Sequence, residues 1–193
     1  MFDELNFPTK APEYEPIWFS LRRSLEQKDP DGNGQSDVND VRFTLAQNKK
    51  GYADGFIVAA ISTQNAQDDL AAMVAELAPC KPFNTFRTNT YDDQISGDNL
   101  YAANSPIARQ DAKSYCSRYF KIYKNIAENQ TFTSSEHQKL MAQKSNAYGT
   151  MHAMQIIPSL GILRFSSYKN AKPAYRNAYQ TFDLNKLFEM SQK

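Results

Sequence analysis

The residues best placed to do chemistry lie between positions 29 and 40, in the run DPDGNGQSDVND. Asp29, Asp31 and Asn33 stand at alternate positions, Gly34 is sixth and Asp40 is twelfth. Alternation turns several oxygens toward one point and the glycine permits a sharp bend. A hard cation that takes about six to eight oxygen ligands needs both features. Leu21 and Leu25 before the run, and Val41 and Leu45 after it, recur at helical spacing and are expected to pack beneath the loop. The same composition also suits a solvated Asp/Gly/Asn turn that binds nothing.

This stretch resembles the EF-hand calcium loop and, equally, the single loops of dockerins and the DxDGDGxSD repeats of bacterial surface proteins. The resemblance covers 12 residues, or about 30 with the flanking helices, and implies nothing for the rest of the chain. It implies calcium as the ion, with Asp29, Asp31, Asn33, the Gln35 carbonyl and Asp40 as ligands and Asp37 acting directly or through water. Asp40 stands where most EF-hands carry a longer glutamate, and Ser36 where paired loops carry an apolar bridge. The pattern therefore implies a lone, surface-type site of modest affinity.

A second segment, AYGTMHAMQIIPS with Glu136 upstream, resembles the AxGLMQIxP stretch of soluble lytic transglycosylases. There a glutamic acid about 18 residues before the glutamine is the general acid, and Glu136 lies 19 positions before Gln155. A general acid of that kind needs a carboxyl whose pKa is raised by an apolar cleft. This resemblance implies a peptidoglycan-cleaving enzyme as the alternative function. The competing reading makes Glu136 an ordinary helix cap with Thr133.

Other chemistries leave no signature. His137, His152, Cys80 and Cys116 show no chelating pair such as CxxC or HxxxH, which argues against zinc. Nucleophile elbow, phosphate loop and dinucleotide fingerprint are all missing from the sequence. The two cysteines are compatible with one disulfide or with two free thiols. Joined, they would close a loop of about 36 residues, worth roughly 3–4 kcal/mol.

Net charge is +1 but unevenly placed: residues 1–99 hold 9 Lys+Arg against 16 Asp+Glu, and residues 100–193 hold 13 against 5. The halves fold on each other, copies associate head to tail, or the basic half meets an anionic partner. The C-terminal segment interleaves Arg164, Phe165, Tyr168, Lys169, Lys172, Tyr175, Arg176 and Tyr179, the mixture of cations and stacking surfaces used by single-stranded nucleic-acid binders. Tyrosine-rich surface of this kind also suits an assembly contact.

The elements that must position these residues read as mostly helical. Residues 1–15 are expected to form an extended arm, and 16–193 a single, irregular, mainly α domain. Helices are expected from Pro16, with Ile17, Trp18, Leu21 and Leu25 facing inward, and from about Val38. Further helices are expected over Asn65 to Ala78, from Ser105 to about Ile126, and from the Thr133/Glu136 capping box to about Ile156. Two short helical pieces follow, Ala174 to Tyr179 and Phe182 to Met190. Phe56 to Ile61 is a buried run read as helix, and 81–104 as a long polar loop. No apolar run reaches the roughly 20 residues of a membrane span. Met1 is followed by Phe2, Asp3 and Glu4, unlike a secretory signal, so such a signal is either unused or already removed.

Together these features point to a non-catalytic structural or adaptor subunit of a larger extracytoplasmic or virion assembly, stabilised by bound calcium. Its partners would be other protein subunits or copies of itself, with nucleic-acid binding by the basic half as a further alternative.

Overall fold

The structure, a computed structural model, describes residues 13–62, 72–88, 91, 99–109, 116–126, 131–145 and 149–189. The chain divides into two compact units, residues 1–130 and 131–193. Both mix helix and sheet, which overturns the expected mainly helical fold.

In the first unit, helices α1 (Ile17–Glu26) and α2 (Val38–Ala46) form a hairpin around the acidic loop. A three-stranded antiparallel sheet follows, ordered β1 (Phe56–Ile61), β2 (Ala72–Leu77), β3 (Asn84–Arg87), and then helix α3 (Ser117–Ile126). Alternation along β2 divides its side chains between two faces. Met73, Ala75 and Leu77 join Ile17, Val38, Leu45 and Tyr52 in the hydrophobic core, with Leu21, Val41 and Phe86 packed at its margin. Val74 and Glu76 point the other way.

Glu76 is fully buried, and its carboxylate is the acceptor around which the second face is organised. Its Oε1 accepts from Arg87 Nε (2.8 Å) and the Ile107 amide (2.7 Å). Its Oε2 accepts from Thr85 Oγ1 (3.1 Å) and the amides of Ala108 (2.9 Å) and Arg109 (3.3 Å). Thr85 lies directly across from Glu76 in the β2–β3 register, so the strand pairing itself delivers one donor. Arg87 passes the connection on, donating from Nη2 to the Tyr101 carbonyl (3.0 Å) and lying over the Tyr119 ring, which stacks on Tyr101.

The second unit opens with α4 (Ser134–Leu140) and a π-helical turn, Met141–Ser145. An antiparallel meander of β4 (His152–Ile157), β5 (Ile162–Ser167) and β6 (Gln180–Asp183) follows, then α5 (Leu184–Glu189). The chain reverses after β4 through a short 3-10 turn, Pro158–Leu160, closed by Gly161 in the left-handed region (φ 62°).

Several expected helices are strands for identifiable reasons. Phe56–Ile61 is rich in β-branched side chains and pairs along its whole length with β2, where a short apolar run alone leaves helix and strand undecided. Ala72–Leu77 carries helix-forming residues whose spacing also fits a helix, but it is the central strand and tertiary burial overrides the preference. The rest of the expected 65–78 helix falls mostly outside the described residues. Within the expected 81–104 loop lies β3. The helix expected from Ser105 does not start there: residues 105–109 form a bridge and a turn, 110–115 lie outside the described residues, and the helix runs over Ser117–Ile126. The one opened at Thr133 is α-helical to Leu140 and π-helical to Ser145 rather than reaching Ile156, where the chain is already strand. The second of the two C-terminal helical pieces begins only at Leu184, after β6; the first shrinks to a 3-10 turn, Ala174–Arg176.

Removing one member of a buried, fully bonded ion pair strands the other charge, at a cost of about 3–5 kcal/mol. Glu76→Ala is therefore expected to lower the unfolding free energy by that amount in urea denaturation. A loss below about 1 kcal/mol would show that the network is dispensable.

Candidate metal centre

The loop between α1 and α2 is built by backbone reversals that its residue types permit. Asp29 sits at φ 46°, Gly32 at 78° and Gly34 at 81°, all in the left-handed region, where glycine is unstrained and Asp is tolerated. Each acidic side chain is then tied by local hydrogen bonds. Gly34 N–H donates to Asp29 Oδ2 (2.9 Å), Asn33 N–H to Asp31 Oδ1 (3.1 Å) and Gln35 N–H to Asn33 Oδ1 (2.8 Å). At the far end, Asp37 and Asp40 form the capping box that starts α2. The Asn39 amide donates to Asp37 Oδ1 (2.6 Å) and the Asp37 amide to Asp40 Oδ2 (3.0 Å).

These constraints bring Asp29, Asp31 and Asp40 together. One carboxylate oxygen from each lies within 4.8 Å of the others. Oxygens bound at about 2.4 Å to one calcium ion are separated by at most about 4.8 Å, so the spacing suits a common cation. Asp40 is 4% exposed, and its Oδ1 has no hydrogen-bond partner; neither does the buried Oδ1 of Asp29. Buried carboxylate oxygens without partners are costly unless a cation or a proton satisfies them. Asp31 shows the same tension: its carboxyl is held above its ordinary value, first by desolvation and then by the charges of Asp40 and Asp29, against the hydrogen bond from Asn33.

The other expected ligands stand differently. Asn33 is occupied, its Oδ1 by Gln35 and its Nδ2 by Asp31 Oδ2 (3.2 Å), and Asp37 is the helix cap. Three of the six expected residues are thus gathered by the fold and two of the others serve the loop's own hydrogen bonding. Beneath the loop, Leu45 is buried and Leu21 and Val41 pack on the core as expected. Leu25 does not: it is 81% exposed.

Glu136 caps α4. It is exposed, accepts from the Thr133 amide (2.8 Å) and hydroxyl (2.7 Å), and is held below its ordinary pKa by those two bonds. That is the opposite of the shift a general acid requires. Gln155 is buried, donating to the Ser134 carbonyl (2.6 Å) and accepting from Arg164 (3.1 Å). Strand alternation puts Arg164 on the sheet face opposite Phe165, where it meets Gln155, so the expected row of cations and aromatics is divided between two faces. Arg176 lies over Tyr175, and His152 stacks on Phe165.

Both cysteines are free thiols. Cys116 immediately precedes α3, with its amide donating to Ser105 Oγ (2.6 Å) and Arg118 Nε donating to its Sγ (3.2 Å). Burial raises its pKa, but hydrogen bonds from Arg118 and Asn104 and the Arg118 charge outweigh that and leave the thiol below its ordinary value. Sequence reasoning missed this thiol because Arg118 lies two positions on without forming any recognised motif.

Comparison with protein-family models, with curated proteins and with solved structures gives no match.

Two outcomes follow from these electrostatics. Because the Asp31 pKa is raised in the folded state, its ionisation opposes folding of the ion-free protein, and stability falls as pH rises through its titration. Asp31→Asn is therefore expected to raise the melting temperature of chelator-treated protein while abolishing any rise caused by added cation. A lower melting temperature without chelatable ion would contradict the assigned repulsion. For Cys116, peptide-resolved alkylation across pH should give a midpoint below that of an ordinary thiol, moved upward by Arg118→Ala. An unshifted midpoint in that variant would remove Arg118 as the cause.

Proposed function

We propose that this chain is a structural or adaptor subunit of a larger assembly, and that calcium bound by Asp29, Asp31 and Asp40 fixes the α1–α2 hairpin. The reading rests on one observation above all: three gathered carboxylates, two of which keep a buried oxygen without a hydrogen-bond partner. A bound cation would satisfy those oxygens and cancel the repulsion around Asp31. It would also join the end of α1 to the cap of α2, since Asp29 follows the first helix and Asp40 belongs to the second.

Calcium is favoured over magnesium because the loop gathers several carboxylates in irregular geometry, whereas magnesium demands near-ideal octahedral geometry. A site of this lone kind matches affinities of about 10⁻⁴–10⁻³ M, which are useful where calcium is abundant. An extracytoplasmic setting is part of the proposal for that reason. Neither the capped Glu136 nor the divided basic segment supplies an observation that would place an enzyme or a nucleic-acid binder ahead of it.

Calorimetric titration of the chelator-stripped chain is expected to show saturable calcium binding near one ion per chain, with magnesium much weaker and Asp29→Ala inactive. At a calcium concentration about 100-fold above Kd the stabilisation is about 2.7 kcal/mol, which corresponds to a melting-temperature rise of several degrees. No heat and no thermal shift up to calcium concentrations of about 10–100 mM, roughly 100-fold above the proposed Kd, would remove the ion, and with it the main support for this reading.

A further inference from the structure

Outward-turned side chains occur in both units. On α1, Trp18 is 76% exposed instead of facing the core as expected. In the second unit the outward feature is a charged hairpin tip.

β5 runs on into Tyr168, whose amide donates to the Met151 carbonyl (2.7 Å), and the chain then reverses over Lys169–Lys172. Lys169 and Lys172 exchange both backbone hydrogen bonds (3.2 and 3.0 Å). Between them Asn170 and Ala171 sit at φ 53° and 57°. This is a two-residue hairpin turn of the kind that needs both central residues in the left-handed region. Asparagine tolerates that region, whereas alanine is strained in it. The turn is held by its surroundings. Asn177 Nδ2 lies within hydrogen-bond reach of the carbonyls of Ser167 (2.9 Å), Lys172 (3.2 Å) and Pro173 (3.4 Å), and the Ala174 amide donates to the Thr150 carbonyl (2.9 Å).

Residues that exchange both bonds are directly opposite, so the two lysine side chains leave the hairpin on one face, from Cα atoms about 5.5 Å apart. Like charges in that relation repel. The neighbouring chain does not offset them: residues 149–182 hold Arg164, Lys169, Lys172 and Arg176 and no acidic residue. Among the described residues, neither lysine has an ion-pair partner. Strand alternation carries Ser167 and Lys169 to the face of Phe165, where exposed His152 stacks on the Phe165 ring (centroids 5.6 Å). Arg164 lies on the other face, but two cations and a stacked aromatic pair remain together on this one.

We propose that the Lys169/Lys172 pair is a phosphodiester-binding fork for single-stranded nucleic acid, with a neighbouring base stacking on His152. A phosphate between the two ammonium groups cancels their repulsion, and the strained, anchored turn holds them at fixed spacing before the ligand arrives. Cations beside stacking surfaces are the means by which single strands are bound without sequence preference. A tip that enters a membrane would carry a large apolar side chain at the turn, where this one carries Asn170 and Ala171. The site does not involve the acidic loop, which belongs to the other unit.

The test is fluorescence anisotropy of a labelled oligothymidylate of about 20 nucleotides, titrated with the full chain in chelator at salt from about 20 to 200 mM. Each lysine–phosphate contact contributes about −0.7 to the slope of log K against log salt, so the double variant Lys169→Gln/Lys172→Gln is expected to flatten it by about 1.4. Lys169→Arg/Lys172→Arg should keep binding, and His152→Ala should weaken it about tenfold with the slope unchanged. Lys121→Gln/Lys124→Gln removes the same charge from exposed positions of α3 and should leave binding as it is. Because Lys169 and Lys172 repel, their glutamine variant is expected to melt no lower than unmodified protein, which separates lost binding from lost fold. No binding by the unmodified chain overturns the proposal. So does an equal loss in the two double glutamine variants, or binding to phosphatidylserine vesicles without binding to the oligonucleotide. With chelator present throughout, failure of the calcium reading leaves this result untouched.

Discussion

A single buried carboxylate organises the larger unit. Glu76 has no access to water, and a charge removed from water must recover its solvation from protein groups. It does so from five donors, three of which are the consecutive backbone amides of Ile107, Ala108 and Arg109. Without regular structure of their own, those amides need acceptors, and the carboxylate supplies them. Strand pairing supplies Thr85, and Arg87 carries the connection to Tyr101 and, through ring contacts, to α3. Sheet, connecting segment and helix thus depend on one another through one residue.

The acidic loop follows the reverse logic. Glu76 is a charge with every demand met, whereas Asp29 and Asp40 each keep a buried oxygen without a hydrogen-bond partner. The capping box and the turns around Gly32 and Gly34 hold one oxygen of each of these two carboxylates by backbone amides. The same bonds that satisfy one oxygen orient the group, and leave the other oxygen to a cation. The ion proposed here would meet an arrangement already formed by α2's own start.

Outward-facing apolar surface on α1 and on the second sheet has a common physical cause. Ser24 bonds the Leu21 carbonyl within α1, Ser20 bonds Glu15, and Gln155 bonds both α4 and Arg164. These polar contacts occupy part of the inner faces, while Trp18, Leu25, Met154 and Ile156 are left exposed.

Sequence alone was enough to locate the helix–loop–helix at the N-terminal end, its acidic residues, and the capping box at Thr133 and Glu136. These are local properties: a cap, a tight turn and a ligand spacing are decided by residues within one or two turns of each other. Only the tertiary structure decided the sheets, because the short apolar run Phe56–Ile61 fits helix or strand and the spacing over Ala72–Leu77 favours a helix until each has a neighbour to pair with. It also decided that Glu76 is a buried hub, since its partners lie 9 to 33 positions away and no spacing announces them. Which face of α1 is inside, and which three of the six oxygen-bearing residues meet, were likewise settled by long-range packing and hydrogen bonding, to which a single sequence offers no direct access.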